Sequence, residues 1–314
     1  MNVGMVGYGM IAEHHVRALQ GVEGVQFHWL VGRRAEPTQE AAAHWKFTPH
    51  TLHLEEALAD DALEAIVITS PNALHAPQAT AALKAGKHVL LELPMALTLA
   101  ESEQLATLAK ECGRVLMICH TMRTFSSFAH IRHLVDEGQF HLRQFMGQLF
   151  LSRRTNRTVN GDPRSWTDNI LWHHAAHFVD LALWLGNCDR VERVSYHNGP
   201  DYNEQGTMDM SLTMTLPSGA IANVSNSYFA PGLRQQLTIV GDETTYIWHD
   251  GTLYDFDGKE VMPNTSIVDL AVQDREFIAA IREQRVPLIS AEAILPTMRV
   301  LSEAQAIADG KVGG

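Results

Sequence analysis

A short apolar strand that runs without a break into a glycine turn and then a helix restricts this chain more than any other stretch. Val3–Val6 reads as the strand, Gly7-Tyr8-Gly9-Met10-Ile11-Ala12 as the turn, and Ile11–Leu19 as the helix. G-x-G-x-x-A in that context is a dinucleotide fingerprint rather than a chance pair of glycines. Gly7 permits the tight turn, and Gly9 lets a pyrophosphate approach the backbone. Met10 and Ile11 open the helix whose N-terminus faces the phosphate charge, and Ala12 keeps that helix close to the sheet.

The second strand, Val25–Val31, ends in Gly32-Arg33-Arg34. NAD-binding chains usually place an acid near this point for the ribose 2′-hydroxyl. Here Arg33 and Arg34 stand instead, and a guanidinium fork matches a 2′-phosphate in shape and charge. The expected cofactor is therefore NADP, with NAD possible; a solvated arginine pair in a loop is the plain alternative.

Strands and helices keep alternating. Helices are expected at Gln39–Trp45, Leu54–Ala59, Ala76–Ala85 and Leu99–Cys112, and strands at Ala65–Thr69, His88–Glu92 and Val115–Cys119. Strands that are apolar along their whole length and alternate with helices make a doubly wound parallel sheet. Residues 1–120 thus read as a Rossmann domain in an α/β protein. Its ligands bind beyond the C-terminal strand ends. That rule gathers Gly7, Gly9, Met10, Ile11, Arg33, Arg34, Ser70, Asn72, His75, Glu92, Leu93 and Pro94 as cofactor-binding candidates, with His120 as a substrate contact.

From residue 121 the alternation stops. A helix at Phe125–Glu137, a long strand at Arg143–Ser152, a meander from Met208 onward and two closing helices, Asp269–Glu283 and Ala291–Ala308, describe an α+β domain. It is built on a large, open, mostly antiparallel sheet. Residues 121–314 are expected to bind substrate and to assemble the protein as a dimer or tetramer through that sheet.

Within this domain His173, His177 and Asp180 fall at i, i+4 and i+7 and share one face of a helix. Two imidazoles and a carboxylate on one stripe suit a metal site or a general base with its supporting groups. Helix histidines satisfied by backbone and solvent are the bland alternative. Adjacent His174 points about 100° away and reads as structural. Arg123, Arg153, Arg154, Arg157 and Arg164 form a cationic set suited to carboxylates, and Trp166 is placed to wall a planar ring or to fill the core. A small anionic substrate follows.

The net charge of −12 excludes a non-specific nucleic-acid binder, which needs a basic surface. No apolar run approaches the roughly 18–20 residues that span a bilayer. Met1–Val6 leads directly into strand without a secretory signal pattern. Cys112, Cys119 and Cys188 are odd in number and fit neither a metal nor a disulfide spacing. A cytoplasmic small-molecule enzyme is the expectation, with a cofactor-binding sensor lacking chemistry as the rival from another class.

Together, Gly7–Ala12, Thr69-Ser70-Pro71-Asn72 with His75, Glu92-Leu93-Pro94, and His173 to Asp180 resemble the Gfo/Idh/MocA oxidoreductases over nearly the whole chain. The resemblance implies hydride transfer with NAD(P) and no metal. Sugar and polyol dehydrogenases of that family usually carry Glu-Lys-Pro, whose lysine helps deprotonate the substrate hydroxyl, and an aspartate where His173 stands. Leu93 removes the lysine. What remains resembles a branch that oxidises a cyclic hemiacetal bearing carboxylates, with His173 or His177 as base, Asp180 in support and the arginines as anchors. A sugar or inositol dehydrogenase is the alternative within the family. A hemiacetal hydroxyl is more acidic than an ordinary alcohol, so an imidazole of pKa near ~6.5 suffices as acceptor.

Overall fold

The computed structural model describes residues 1–155, 169–202, 206–263 and 270–311. Two compact units divide the chain: Met1–Thr121 with Val268–Leu295, and Met122–Ile267 with Pro296–Gly314. The first cut falls where the strand–helix alternation ends. A division into 1–120 and 121–314 does not anticipate the return of Val268–Leu295 to the first unit. The periodicity of a closing helix shows that it is amphipathic, not which core it covers.

The first unit runs β1 (Asn2–Val6), α1 (Met10–Gln20), β2 (Gln26–Val31), α2 (Ala35–Trp45), β3 (His50–Thr51), α3 (Leu54–Leu58), β4 (Ala65–Ile68), α4 (His75–Lys84), β5 (His88–Leu91), α5 (Leu99–Glu111) and β6 (Leu116–Ile118). Its six strands lie in the order β3-β2-β1-β4-β5-β6, every neighbouring pair parallel. The winding direction reverses between β1 and β4, which is where such sheets open a ligand crevice. Ala65, Ile66, Val67 and Ile68 are all buried, as a strand covered on both faces requires. At the start of α5, Thr98 Oγ1 accepts from the Glu101 N–H at 3.2 Å. This T-x-x-E cap contributes about 1 kcal/mol to holding the helix start.

In the second unit α6 (Ser126–Asp136), β7 (Leu142–Ser152), a π-helical turn (Leu171–Ala175) and α7 (Ala176–Leu185) precede β8 (Arg193–Asn198), β9 (Asp209–Thr215), β10 (Ile221–Ser227), β11 (Phe229–Gly241), β12 (Thr245–His249), β13 (Thr252–Asp255) and β14 (Glu260–Met262). The eight strands are ordered β14-β13-β12-β11-β7-β10-β9-β8. Only β7 and β10 pair in parallel; the other neighbours are antiparallel. Phe145 and Leu149 of β7, Ala222 and Val224 of β10, and Leu237 and Ile239 of β11 are buried at alternate positions and form one apolar face. Helix α7 rests on it. A Cβ at Gly147 would stand 3.0 Å from Phe178 Cγ, so a residue without a side chain is what lets α7 come this close. On the opposite face Thr213 Oγ1 donates to Asn223 Oδ1 at 2.9 Å.

The return segment brings α8 (Ala271–Arg282) against α1 in the first unit, and Ser290 bridges to Met117 beside β6. The last helix is α9 (Ala291–Ala308). Among the described residues, no helix is long and apolar enough to cross a membrane.

Candidate active site

The dinucleotide turn has the backbone its sequence requires. Gly7 adopts φ +106°, and a Cβ there would lie 2.5 Å from Thr69 Oγ1, so no other residue fits. Gly9 is the N-cap of α1, and a Cβ on it would meet nothing within 4 Å. That open ground lies in front of Met10 and Ile11, whose N–H groups begin the helix. A pyrophosphate fits this cradle: there is room over Gly9 and donors with the positive helix end behind it. Arg33 and Arg34 are exposed just after β2, and Arg34 caps α2 while its Nε approaches Tyr8 Oη at 3.5 Å.

At the other strand ends the structure separates lining groups from framework. Ser70 donates its hydroxyl to Gln78 Oε1, and Asn72 opens a short 3₁₀ turn before α4. His75 is 1% exposed, with Nδ1 2.8 Å from the Pro94 carbonyl and Nε2 2.8 Å from the Ser70 carbonyl. Burial pushes its pKa down despite those two carbonyls. It ties the Ser70 turn to the Leu93-Pro94 turn, whose peptide is cis, and so acts on the backbone around the crevice. Leu93 is buried at 3% exposed, and His120 is buried just past β6.

A buried polar group that the sequence reading missed lies beneath these strand ends. His15 of α1 has Nδ1 2.9 and 3.1 Å from the two carboxylate oxygens of Asp274 on α8. Its Nε2 lies 3.0 Å from Glu92 Oε1, and the Leu93 N–H donates to Glu92 Oε2 at 3.2 Å. Gln273 extends the network, donating from Nε2 to Asp274 Oδ1 at 3.3 Å and accepting from Thr121 Oγ1 at 2.9 Å. His15, Glu92 and Cys119 also offer ligand atoms within 4.8 Å of one another. Both imidazole nitrogens are, however, already engaged by carboxylates. Burial alone opposes charge on His15, but Asp274 and Glu92 outweigh it and hold its pKa well above 6.5. The only sequence signal was a histidine on the apolar stripe Ala12, His15, Val16, Leu19.

That shift sets a direction for stability. A group whose pKa is higher folded than unfolded contributes fully below its unfolded value near 6.5, and the contribution is lost as pH rises through the folded value. Relative to a H15Q/D274N double variant, the wild type is therefore expected to lose about 1.4 kcal/mol per pH unit across that window. Urea midpoints measured from pH 6 to 9 check this; a gap independent of pH would contradict it.

The second unit positions the histidines differently from a regular helix. The Ala175 N–H donates to the Ile170 carbonyl at 3.1 Å, an i to i−5 bond, while the His173 N–H donates to Asn169 at 2.9 Å. The turn that carries His173 is thus wider than the α-helix that carries His177 and Asp180, and the three do not ride one unbroken α stripe. Such insertions recur at functional sites. His173 and His177 are half-buried, whereas Asp180 is 1% exposed. The Asp180 carboxylate accepts from Arg123 Nε at 2.8 Å and Nη2 at 2.6 Å, and from Thr297 Oγ1 at 3.1 Å.

Arg123, expected to anchor substrate, forms a bidentate ion pair inside its own unit, where a buried carboxylate demands a cation. His174 packs edge-on to His173, ring centroids 4.4 Å apart, and its Nδ1 lies 2.6 Å from Tyr228 Oη. Arg153 is half-buried with its guanidinium 6.0 Å from the Tyr228 ring centroid; Arg154 is exposed and donates to the Phe229 carbonyl. Arg157, Arg164 and Trp166 lie outside the described residues. Tyr228 was not singled out in sequence, although the buried alternation Ala222, Val224, Asn226, Tyr228 marks it as facing the helices.

Known proteins match this arrangement along its length. Residues 1–120 match the oxidoreductase family with an NAD-binding Rossmann fold, and residues 126–269 match the C-terminal domain of bacterial oxidoreductases. The 4-carboxy-2-hydroxymuconate-6-semialdehyde dehydrogenase of Sphingobium sp. (strain NBRC 103272 / SYK-6) is 37% identical over 96% of this chain and 97% of its own. The chain belongs to the Gfo/Idh/MocA oxidoreductase family. Among solved structures, GenD2 from gentamicin A biosynthesis in complex with NAD is 22% identical with a TM-score of 0.84, covering 99% of this chain and 95% of that one. Levoglucosan dehydrogenase in complex with NADH and levoglucosan is 19% identical with a TM-score of 0.86, covering 99% and 98%. As a Gfo/Idh/MocA member the protein is an NAD(P)-dependent dehydrogenase acting on a CH–OH group.

Proposed function

We propose that this dehydrogenase oxidises the cyclic hemiacetal of 4-carboxy-2-hydroxymuconate-6-semialdehyde to the lactone 2-pyrone-4,6-dicarboxylate with NADP. The observation that carries the reading is Leu93: a buried leucine follows Glu92 where family sugar dehydrogenases usually have a lysine, while His173 and His177 remain. The full-length likeness to the Sphingobium enzyme of that name supports the same substrate.

Bound NADP supplies the hydride acceptor. His173 or His177 takes the hydroxyl proton as the C–H electron pair leaves with the hydride, and the ring carbon becomes the lactone carbonyl. An anomeric hydroxyl needs less help to ionise than a secondary alcohol, which suits an imidazole acting alone. Arg153 and Arg154 are our candidates among the described residues for meeting the substrate carboxylates, on the match of guanidinium and carboxylate in shape and charge.

The direct test is NADPH formation on adding the ring-cleaved protocatechuate product, beside a panel of aldoses and inositols. Turnover of the sugars alone would replace this reading with a polyol dehydrogenase; cofactor binding with no turnover of any of them would leave a sensor. NADP preference is tested separately. Arg33→Ala is expected to weaken NADP roughly 10- to 100-fold while leaving NAD nearly unchanged, the range set by a charged hydrogen bond of about 1.5–3 kcal/mol. Equal losses for both cofactors would remove Arg33 from the 2′-phosphate.

A further inference from the structure

The buried His15 network sits on a definite side of the dinucleotide cleft. In the strand order β3-β2-β1-β4-β5-β6 the pyrophosphate cradle follows β1, and the adenosine ribose binds at the end of the neighbouring β2. A dinucleotide bound in this way would lay its nicotinamide half in the opposite direction, toward the ends of β4 and β5. Glu92 lies immediately past β5, its side chain 15% exposed and its two oxygens facing His15 and the Leu93 N–H.

Behind Glu92, Asp274 and His15 form a fully buried pair. Burial raises the Asp274 pKa, but the His15 charge and the Gln273 amide favour its ionised form, and two ionised carboxylates around one imidazolium would leave the triad with one net negative charge. The oxidised nicotinamide ring is a cation and the reduced ring is neutral, so a fixed negative charge near the ring distinguishes them. We propose that Glu92, oriented by His15 and with His15 neutralised by Asp274, biases this site toward the oxidised cofactor. On this view the chain returns α8 to the first unit to supply Asp274, and Asp274 and His15 are positioning residues that act through Glu92.

The groups facing His15 are Asp274 from α8, Glu92 beyond β5 and Cys119 beyond β6. Burial pushes the Cys119 thiol far up, so it stays neutral through the working range. Asp274, through its charge and its hydrogen bond, is what raises the His15 pKa well above 6.5 against the opposing effect of burial. In D274N that support is lost and burial pushes the His15 pKa down, so the imidazole becomes neutral while Glu92 keeps its charge.

The experiment is separate titration of NADP⁺ and NADPH, or NAD⁺ and NADH, against the full-length protein by calorimetry. E92Q is expected to lower the oxidised-over-reduced affinity ratio roughly three- to tenfold. A tenfold change equals about 30 mV for a two-electron couple. E92D is expected to restore most of that loss, and D274N, which leaves Glu92 charged beside a neutral His15, is expected to keep the oxidised-over-reduced preference. A merely structural triad would weaken both redox forms equally in every variant. Equal changes of the two affinities in E92Q, no change in the E92Q ratio, or a D274N ratio that falls as far as that of E92Q overturn the proposal. Should D274N not fold, the E92Q and E92D ratios decide alone, because Glu92 is the partly exposed member.

Discussion

Replacing the base histidine by alanine is expected to lower kcat about 10²- to 10⁴-fold, the usual contribution of a positioned general base, while calorimetry on the same variants finds NADP affinity unchanged. His173→Ala and His177→Ala are made singly because the imidazoles sit on different helical geometries, one on the wide turn Leu171–Ala175 and the other on α7. The true base is the one whose loss also abolishes the acidic limb of the kcat/KM profile, since that limb reports its protonation in the free enzyme. The other histidine is expected to show a smaller fall with the limb intact. Wild-type turnover in both variants would place the proton acceptor elsewhere.

What could be read from sequence was whatever depends on neighbours along the chain. The turn at Gly7–Ala12 is local, and its strand, glycine backbone and helix follow from side-chain size and period alone. Five of the six parallel strands followed from apolar runs interleaved with helices, whereas β3, only His50 and Thr51, carries no such signal. Spacing also brought His173 and His177 to attention. What it could not show was the i to i−5 bond between Ala175 and Ile170, because no side-chain pattern distinguishes a π turn from an α turn over five residues.

Pairings distant in sequence were equally hidden. His15 and Asp274 are 259 residues apart, and Arg123 meets Asp180 across 57. An arginine that anchors substrate and one that neutralises a buried aspartate are the same letter in a sequence; only burial separates them. His174 and Tyr228 pair across 54 residues for the same reason. The candidate site was thus legible as a set of residue types, and the division of that set into reacting groups and framework came from packing.

The Arg123–Asp180 pair gives the largest expected effect on stability. Arg123 is 6% exposed and Asp180 1%, and their contact is bidentate. Arg123→Ala removes the bidentate cation from a buried carboxylate that also accepts from the Thr297 hydroxyl, and removing one partner of such a pair costs about 3–5 kcal/mol. Asp180→Ala is expected to cost a similar amount by taking the carboxylate from a buried guanidinium that also lies 5.6 Å from the Trp184 ring centroid. The R123L/D180L double variant should be more stable than either single variant, because apolar replacements remove the desolvation penalty together with the attraction. Denaturant midpoints of the four proteins measure this coupling, and a single-variant loss below about 1 kcal/mol would mean the pair is screened as a surface bridge is. The same variants bear on chemistry. Asp180 lies three residues after His177 on α7, so loss of its tether to Arg123 is expected to lower kcat in the single variants even where the fold survives. A fall in kcat that the double variant does not share would show that the pair positions the helix through charge rather than through volume.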